Sequence, residues 1–273
     1  MIVSLSSVAG APGVSSLTML LAAGWPAEYT AKGSTSESPV RMGRVALECD
    51  LDGGVYGARY GIGVEPGAAT LVSRTRHSST GAQEIDHFGR PVGDRAWVVP
   101  GPESAEAARQ LWSGVGVAES VAAAIVHDDR VWFVDAGRAG SSSPIAPLLA
   151  SASLSLLVCR ADHESVVQVP PRVSDLRSIG CSVGVVMVGK PPFPDQELSE
   201  FFDTSMLWTL PATDDIVALS RSVWSSKKVR RSLTWRAALE VSHDVAERVA
   251  FRTMHGTAGE QAGERVEERV DGS

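Results

Sequence analysis

The chain predicts an α/β fold, a doubly wound, mostly parallel sheet flanked by helices, and three observations predict it. Val131-Trp132-Phe133-Val134 and Val183 to Val188 are almost unbroken apolar runs of strand length, as expected of strands covered on both faces. Strand-like and helix-like segments alternate about seven times with short turns between them, and parallel strands need crossovers of that kind. Met1 to Gly24 opens the chain as an apolar strand, a small-residue turn and an apolar helix, the frame in which backbone N–H groups and a helix start meet an anion.

In that opening stretch Met1 to Ser7 reads as the strand, Val8 to Ser16 as the turn and Leu17 to Ala23 as the helix, which ends at Gly24. Within the turn Gly10, Ala11, Gly13, Val14, Ser15 and Ser16 are the candidate nucleotide contacts. A phosphate loop ends in Gly-Lys and then Ser or Thr, because the lysine reaches the outer phosphates and the hydroxyl ligates magnesium. Here Ser15-Ser16-Leu17 stands at that point, and the first lysine is Lys32. The loop therefore predicts an anion site without its usual charge, in which Ser16 offers only a neutral hydrogen bond.

Residues 26–44, rich in Ser, Thr, Gly, Glu and Pro, read as a flexible surface loop. Val45 to Cys49 is the next strand, and it delivers Asp50 and Asp52 to its carboxyl end ahead of Gly53-Gly54, where open α/β sheets place ligand chemistry. Short helices are expected over Val55–Tyr60 and Ala68–Arg74, then a polar stretch, loop with a partial helix, from Thr75 to Arg90. Asp94 to Val99 is a strand, Glu103 to Gln110 a helix entered from Pro102, and Val115 to His127 another helix. The strand Val131–Val134 presents Asp135 at its carboxyl edge.

Ser143-Pro144 opens a short helix to Ala150, Leu154 to Cys159 is a strand, and Asp162 caps a helical segment that Pro170-Pro171 interrupts or restarts. Val183–Val188, a helix over Glu197–Phe202, a last strand Met206–Leu210 and a helix Asp214–Trp224 complete the domain, residues 1–225. Residues 226–255 read as a C-terminal helical extension whose Trp235, Ala238, Val241, Val245 and Val249 form one apolar stripe. Residues 256–273 have the composition of a disordered tail. Most tryptophans fall within apolar segments and are assigned to the core; Trp25, beside Pro26, is read as an exposed contact.

The net charge of -7 argues against general nucleic-acid binding by the surface. One basic island, Lys227, Lys228, Arg230 and Arg231, stands against that average. It reads either as a solvated helix junction or as a partner-binding patch for anionic membrane, DNA or an acidic protein. Cys49, Cys159 and Cys181 are far apart in apolar surroundings and are read as buried hydrophobes, with no metal site and no disulfide. No uncharged apolar run reaches the length of a membrane span, so a cytoplasmic protein, peripheral at a membrane if it meets one, is expected. The turn Gly10-Ala11-Pro12-Gly13 lacks the Gly-x-Gly-x-x-Gly spacing of dinucleotide oxidoreductases.

Over residues 1–225 the order of these motifs resembles the ParA/MinD-type ATPases, the deviant-Walker branch of the P-loop NTPases, and within them the actinobacterial MinD-like and TadZ/CpaE-like proteins. Laid on the family loop Lys-Gly-Gly-Val-Gly-Lys-Thr-Thr, the stretch is Ala11-Pro12-Gly13-Val14-Ser15-Ser16-Leu17-Thr18. The resemblance implies that the lysine crossing a dimer falls on Ala11, the phosphate lysine on Ser16 and the magnesium-binding threonine on Leu17. It assigns the water-orienting and magnesium-side acids to Asp50 and Asp52 and the Walker B acid to Asp135. The family's adenine-reading asparagine would fall at Val188 or Gly189, and the chain contains no asparagine.

These departures predict a pseudo-ATPase with vestigial catalytic acids Asp50, Asp52 and Asp135, because charge clamps on a transferring phosphoryl group are often the largest catalytic term. The expected role is a scaffold or positioning adaptor, for a pilus or secretion machine, with that machine's ATPase as protein partner and a homodimer as the assembly the resemblance implies. No cofactor is needed for that role; ATP and magnesium are the pair the resemblance implies. The alternative is an unusual active ATPase in DNA segregation or cellular positioning, motivated by the three retained acids.

Overall fold

A computed structural model describes residues 1–8, 13–26, 43–76, 78, 81–92, 96–213, 216–222, 227 and 229–250. The proposed loop 26–44 lies almost wholly, and the tail 256–273 entirely, outside the described residues, as do Gly10, Ala11 and Lys228.

Eight strands form one sheet: β1 Ile2–Ser7, β2 Arg44–Glu48, β3 Arg90–Val92, β4 Ala96–Val99, β5 Val131–Asp135, β6 Leu154–Arg160, β7 Val183–Val188 and β8 Leu207–Leu210. Their order is β3-β4-β2-β5-β1-β6-β7-β8. Every neighbouring pair is parallel except β3 with β4, which is antiparallel. The expected doubly wound, mostly parallel sheet flanked by helices is therefore the observed architecture.

The central strands are apolar on both faces because both are covered. Val131, Phe133, Leu154, Leu156 and Val158 pack into one core layer, whereas the alternating Trp132, Val134, Leu157 and Cys159 pack into the other. The first layer is covered by α1 (Val14–Gly24) and by a C-terminal helix, α11, spanning 233–250. In α11 the stripe Trp235, Ala238, Val241, Val245 and Val249 is buried against α1. The Ser242 hydroxyl also donates to the Leu21 carbonyl at 3.3 Å. Trp208 of β8 donates from its indole to Asp244 at 2.6 Å, fixing the same helix to the sheet edge.

The second layer is covered by α3 (Ala68–Thr75), α4 (Ala105–Trp112), α5 (Val117–Val126), α6 (Ala146–Ala150), α7 (His163–Val166), α8 (Val169–Ser178) and α9 (Asp195–Phe202). Asp162 caps α7 by accepting from Ser165 N–H at 2.8 Å, and Pro170-Pro171 restarts the chain as the first turn of α8 rather than breaking it. The short helices α2 (Tyr56–Tyr60) and α10 (Ile216–Ser222) stand beside the carboxyl ends of the strands.

Three local expectations change. The stretch Thr75 to Arg90 carries two 3-10 turns and leads into the edge strand β3. The helix expected from Glu103 starts at Ala105, because the Ser104 hydroxyl accepts from Ala107 N–H at 3.2 Å and so takes the capping place. Trp25 is 1% exposed, set edge-on to Phe133 at 5.2 Å, so it is a core residue and not a surface contact. Among the described residues no helix is long and apolar enough to cross a membrane.

Candidate nucleotide cleft

β1 lies between β5 and β6, and the connections leaving these strands run to opposite sides of the sheet. Open α/β sheets form a crevice at such a point, beyond the carboxyl ends of the strands. A cleft of about 650 Å³ occupies that place, a size suited to a small-molecule ligand. Each strand end contributes to its wall: Ser7 after β1, Asp50 and Asp52 after β2, Gly137 and Arg138 after β5, Arg160 to Asp162 after β6, and Val188-Gly189 at the end of β7.

The floor is the start of α1. Gly13 holds φ +85°, the left-handed turn that lets the chain enter the helix, and the first-turn N–H groups of Val14, Ser15 and Ser16 have no acceptor within their own helix. Gly13, Val14, Ser15 and Ser16 therefore line the cleft. Leu17 does not: it is 0% exposed and belongs to the core beneath. Thr18 is no substitute, because its hydroxyl donates to the Val14 carbonyl at 2.9 Å inside the helix. These residues fit an anion, and the hydroxyls that the described part of the loop brings to the cleft are those of Ser15 and Ser16. Among the described residues no group of three or more His, Cys, Asp or Glu side chains is arranged to hold a metal.

The three acids occupy different depths. Asp135 is fully buried; its Oδ1 accepts from Gly137 N–H at 3.3 Å, and its Oδ2 has no hydrogen-bond partner. Burial pushes its carboxyl up to about 6, Ser15 relieves part of that cost, and the Asp50 charge adds to it. Asp50 folds back to accept from Asp52 N–H at 2.9 Å, and burial raises its pKa as well. Asp50 packs so closely on Gly137, φ +54°, that a Cβ there would overlap its carboxylate. Asp52 is the outermost acid and pairs with Arg109 at 2.7 Å and Arg138 at 3.2 Å.

Glu48, at the end of β2, escaped the sequence reading. It is 1% exposed, and its Oε1 accepts from Val55 N–H at 2.5 Å and Tyr56 N–H at 3.0 Å while Oε2 accepts from Gly101 N–H at 2.9 Å. Burial raises Glu48 to about 7, with a further push from Asp135 and a partial opposing pull from those three N–H donors. Its grip on the first N–H groups of α2 fixes where that helix points. Tyr56 and Arg59, three residues apart on one helical face, then meet the loop together. The Tyr56 hydroxyl donates to the Ser15 carbonyl at 3.4 Å, and Arg59 Nη1 donates to Ser16 Oγ at 3.1 Å.

The loop's own sequence brings no cation, but Arg59, Arg138 and Arg160 all line the cleft. A charged residue on a five-residue helix leaves no motif; the available signal was the spacing of Tyr56 and Arg59 directly after Gly53-Gly54. The basic island is not part of this site: Lys227, Arg230 and Arg231 are exposed and do not line it.

No protein-family model matches the sequence, and no curated protein matches it. Solved structures do, on shape. A ParA family ATPase from Chlorobium tepidum TLS aligns with TM-score 0.65 at 12% identity, covering 88% of this chain and 96% of that one. The fold is that of the ParA and MinD ATPases. The Pyrococcus furiosus cell division ATPase MinD aligns with TM-score 0.67 at 14% identity, over 90% of this chain and 98% of its own. MinD from Pyrococcus horikoshii OT3, complexed with Mg-ADP, aligns with TM-score 0.63 at 15% identity, over 90% and 96%. The ParA/MinD fold thus accounts for nearly the whole chain.

Proposed function

We propose that this protein is a ParA/MinD-type positioning protein whose cleft binds a nucleoside phosphate, and in which occupancy of the site matters more than turnover. The observation that carries the reading is the cleft itself, where the start of α1, Asp50, Asp52 and three arginines converge at the switch point of a ParA/MinD fold. The Mg-ADP held by the Pyrococcus horikoshii MinD supports the same ligand class here. The first turn of α1 at the cleft floor, with cations around it, supports a nucleotide-dependent protein over one that has lost nucleotide altogether.

Weak catalysis is part of the proposal. Leu17 is sunk in the core where a magnesium-ligating hydroxyl is expected, and Asp52 is already engaged by two arginines. Measured with ATP and magnesium, nucleotide should bind while turnover stays below about one per minute, several powers of ten under a working phosphoryl-transfer enzyme. Faster turnover that vanishes in Asp50→Ala would replace this reading with an active segregation or positioning ATPase.

A static scaffold is the second reading, favoured by Leu17 and by Ser16 at the loop's last positions; absence of any nucleotide binding by the wild type would select it. On either reading we assign the protein to the actinobacterial MinD-like and TadZ/CpaE-like branch. Its partner would then be the ATPase of a pilus or secretion machine, with the exposed island at Lys227, Arg230 and Arg231 as the surface for an acidic protein or an anionic membrane.

A further inference from the structure

The cation that sequence motifs place inside the loop is supplied here from elsewhere. The resemblance places the phosphate lysine at Ser16, and the Arg59 guanidinium reaches the Ser16 hydroxyl from α2, 43 residues along the chain. Among the described residues no carboxylate stands within ion-pair distance of Arg59, in contrast to Arg138, which is tied to Asp52. One of its five donors goes to Ser16 Oγ at 3.1 Å, so the rest of the fork remains available at the mouth of the loop. Tyr56 holds the same helix face against Ser15, and Glu48 anchors the helix start, so the guanidinium is delivered by a braced element.

We propose that Arg59 is the specificity-determining cation of the cleft and takes the polyphosphate of a nucleotide in place of a loop lysine. The proposal rests on reading the cleft as a nucleotide site and goes further by naming the residue and the ligand's phosphate chain as the pair that sets affinity. An arginine presents its donors as a rigid planar fork, where a lysine is a point charge with rotatable donors, and the more highly charged di- and triphosphates should be favoured over a monophosphate. Because the charge rides on α2, which follows the Asp50–Asp52 turn, phosphate occupancy is communicated to that turn directly.

The test is a titration of the full chain with fluorescent mant-ATP and mant-AMP, comparing wild type, Arg59→Ala, Arg59→Gln and the double variant Arg59→Ala/Ser16→Lys. Loss of a charge-assisted contact should weaken mant-ATP by about 10- to 100-fold in Arg59→Ala and in Arg59→Gln, with much less change for mant-AMP. Restoring a lysine in the loop should recover at least about tenfold of that loss. Arg59→Gln removes the charge but keeps a polar, unbranched side chain on the helix, so it keeps the test decisive where the alanine variant fails to fold. Wild-type binding that is equal in Arg59→Gln overturns the role of Arg59 and leaves the nucleotide reading standing. A wild type that binds neither probe overturns both.

Discussion

Glu48 shows how much one buried carboxylate can govern. Its pKa of about 7 and that of Asp135, about 6, lie above the ordinary values of 4.5 and 3.8. Between those ordinary values and pH 7 the folded chain therefore holds protons that the unfolded chain has released. Stability should fall as pH rises through that window and level off above it. Taken at face value the Glu48 shift corresponds to about 3 kcal/mol at most. Asp162 and Asp175 have depressed pKa values and act in the opposite sense, but below the window. We expect urea midpoints to decline from pH 5 to pH 7.5 in the wild type and to flatten in Glu48→Gln; an unchanged slope in the variant would remove Glu48 as the cause. None of this was legible from the sequence, where Glu48 is one acid in a strand beside two more conspicuous ones.

At the scale of elements, the strands were the readable part. Val183–Val188 is a six-residue strand at its expected limits, because an apolar run covered on both sides admits few alternatives. The edge strand Arg90-Pro91-Val92 escaped because three residues, one of them proline, carry no pattern, and only the pairing with β4 defines them. Trp25 was misread for a related reason: Pro26 marks the end of a helix, yet says nothing of where the preceding indole turns. Since Trp25 packs into the layer between α1 and the sheet, Trp25→Ala should cost about 3–5 kcal/mol, measured by denaturant unfolding. A surface contact would lose well under about 0.5 kcal/mol.

For the whole molecule, the crossover pattern fixed the layers, and the layers fixed where a cleft had to open. The contents of that cleft were half legible. Asp50 and Asp52, with Asp135 beneath them, are visible because strand ends are visible in sequence, whereas Arg59, Arg138 and Arg160 are not, because their convergence on one cleft depends on elements far apart in the chain. If the proposed nucleotide site governs assembly, as the resemblance implies, ATP should shift the sedimentation of wild-type protein toward a dimer. The same protein with Arg59→Gln should remain monomeric at an equal nucleotide concentration. A dimer that forms identically without nucleotide would mark a constitutive assembly instead.

The placement of α11 has one more consequence. With Ser242 lodged against Gly24 and the Trp235–Val249 stripe pressed on its outer side, α1 is clamped between sheet and helix. α2 is a single short turn held at one end by a proton-sensitive side chain. The two halves of the anion seat are therefore held differently: one is an anvil pinned along its length, the other a lever gripped at its start.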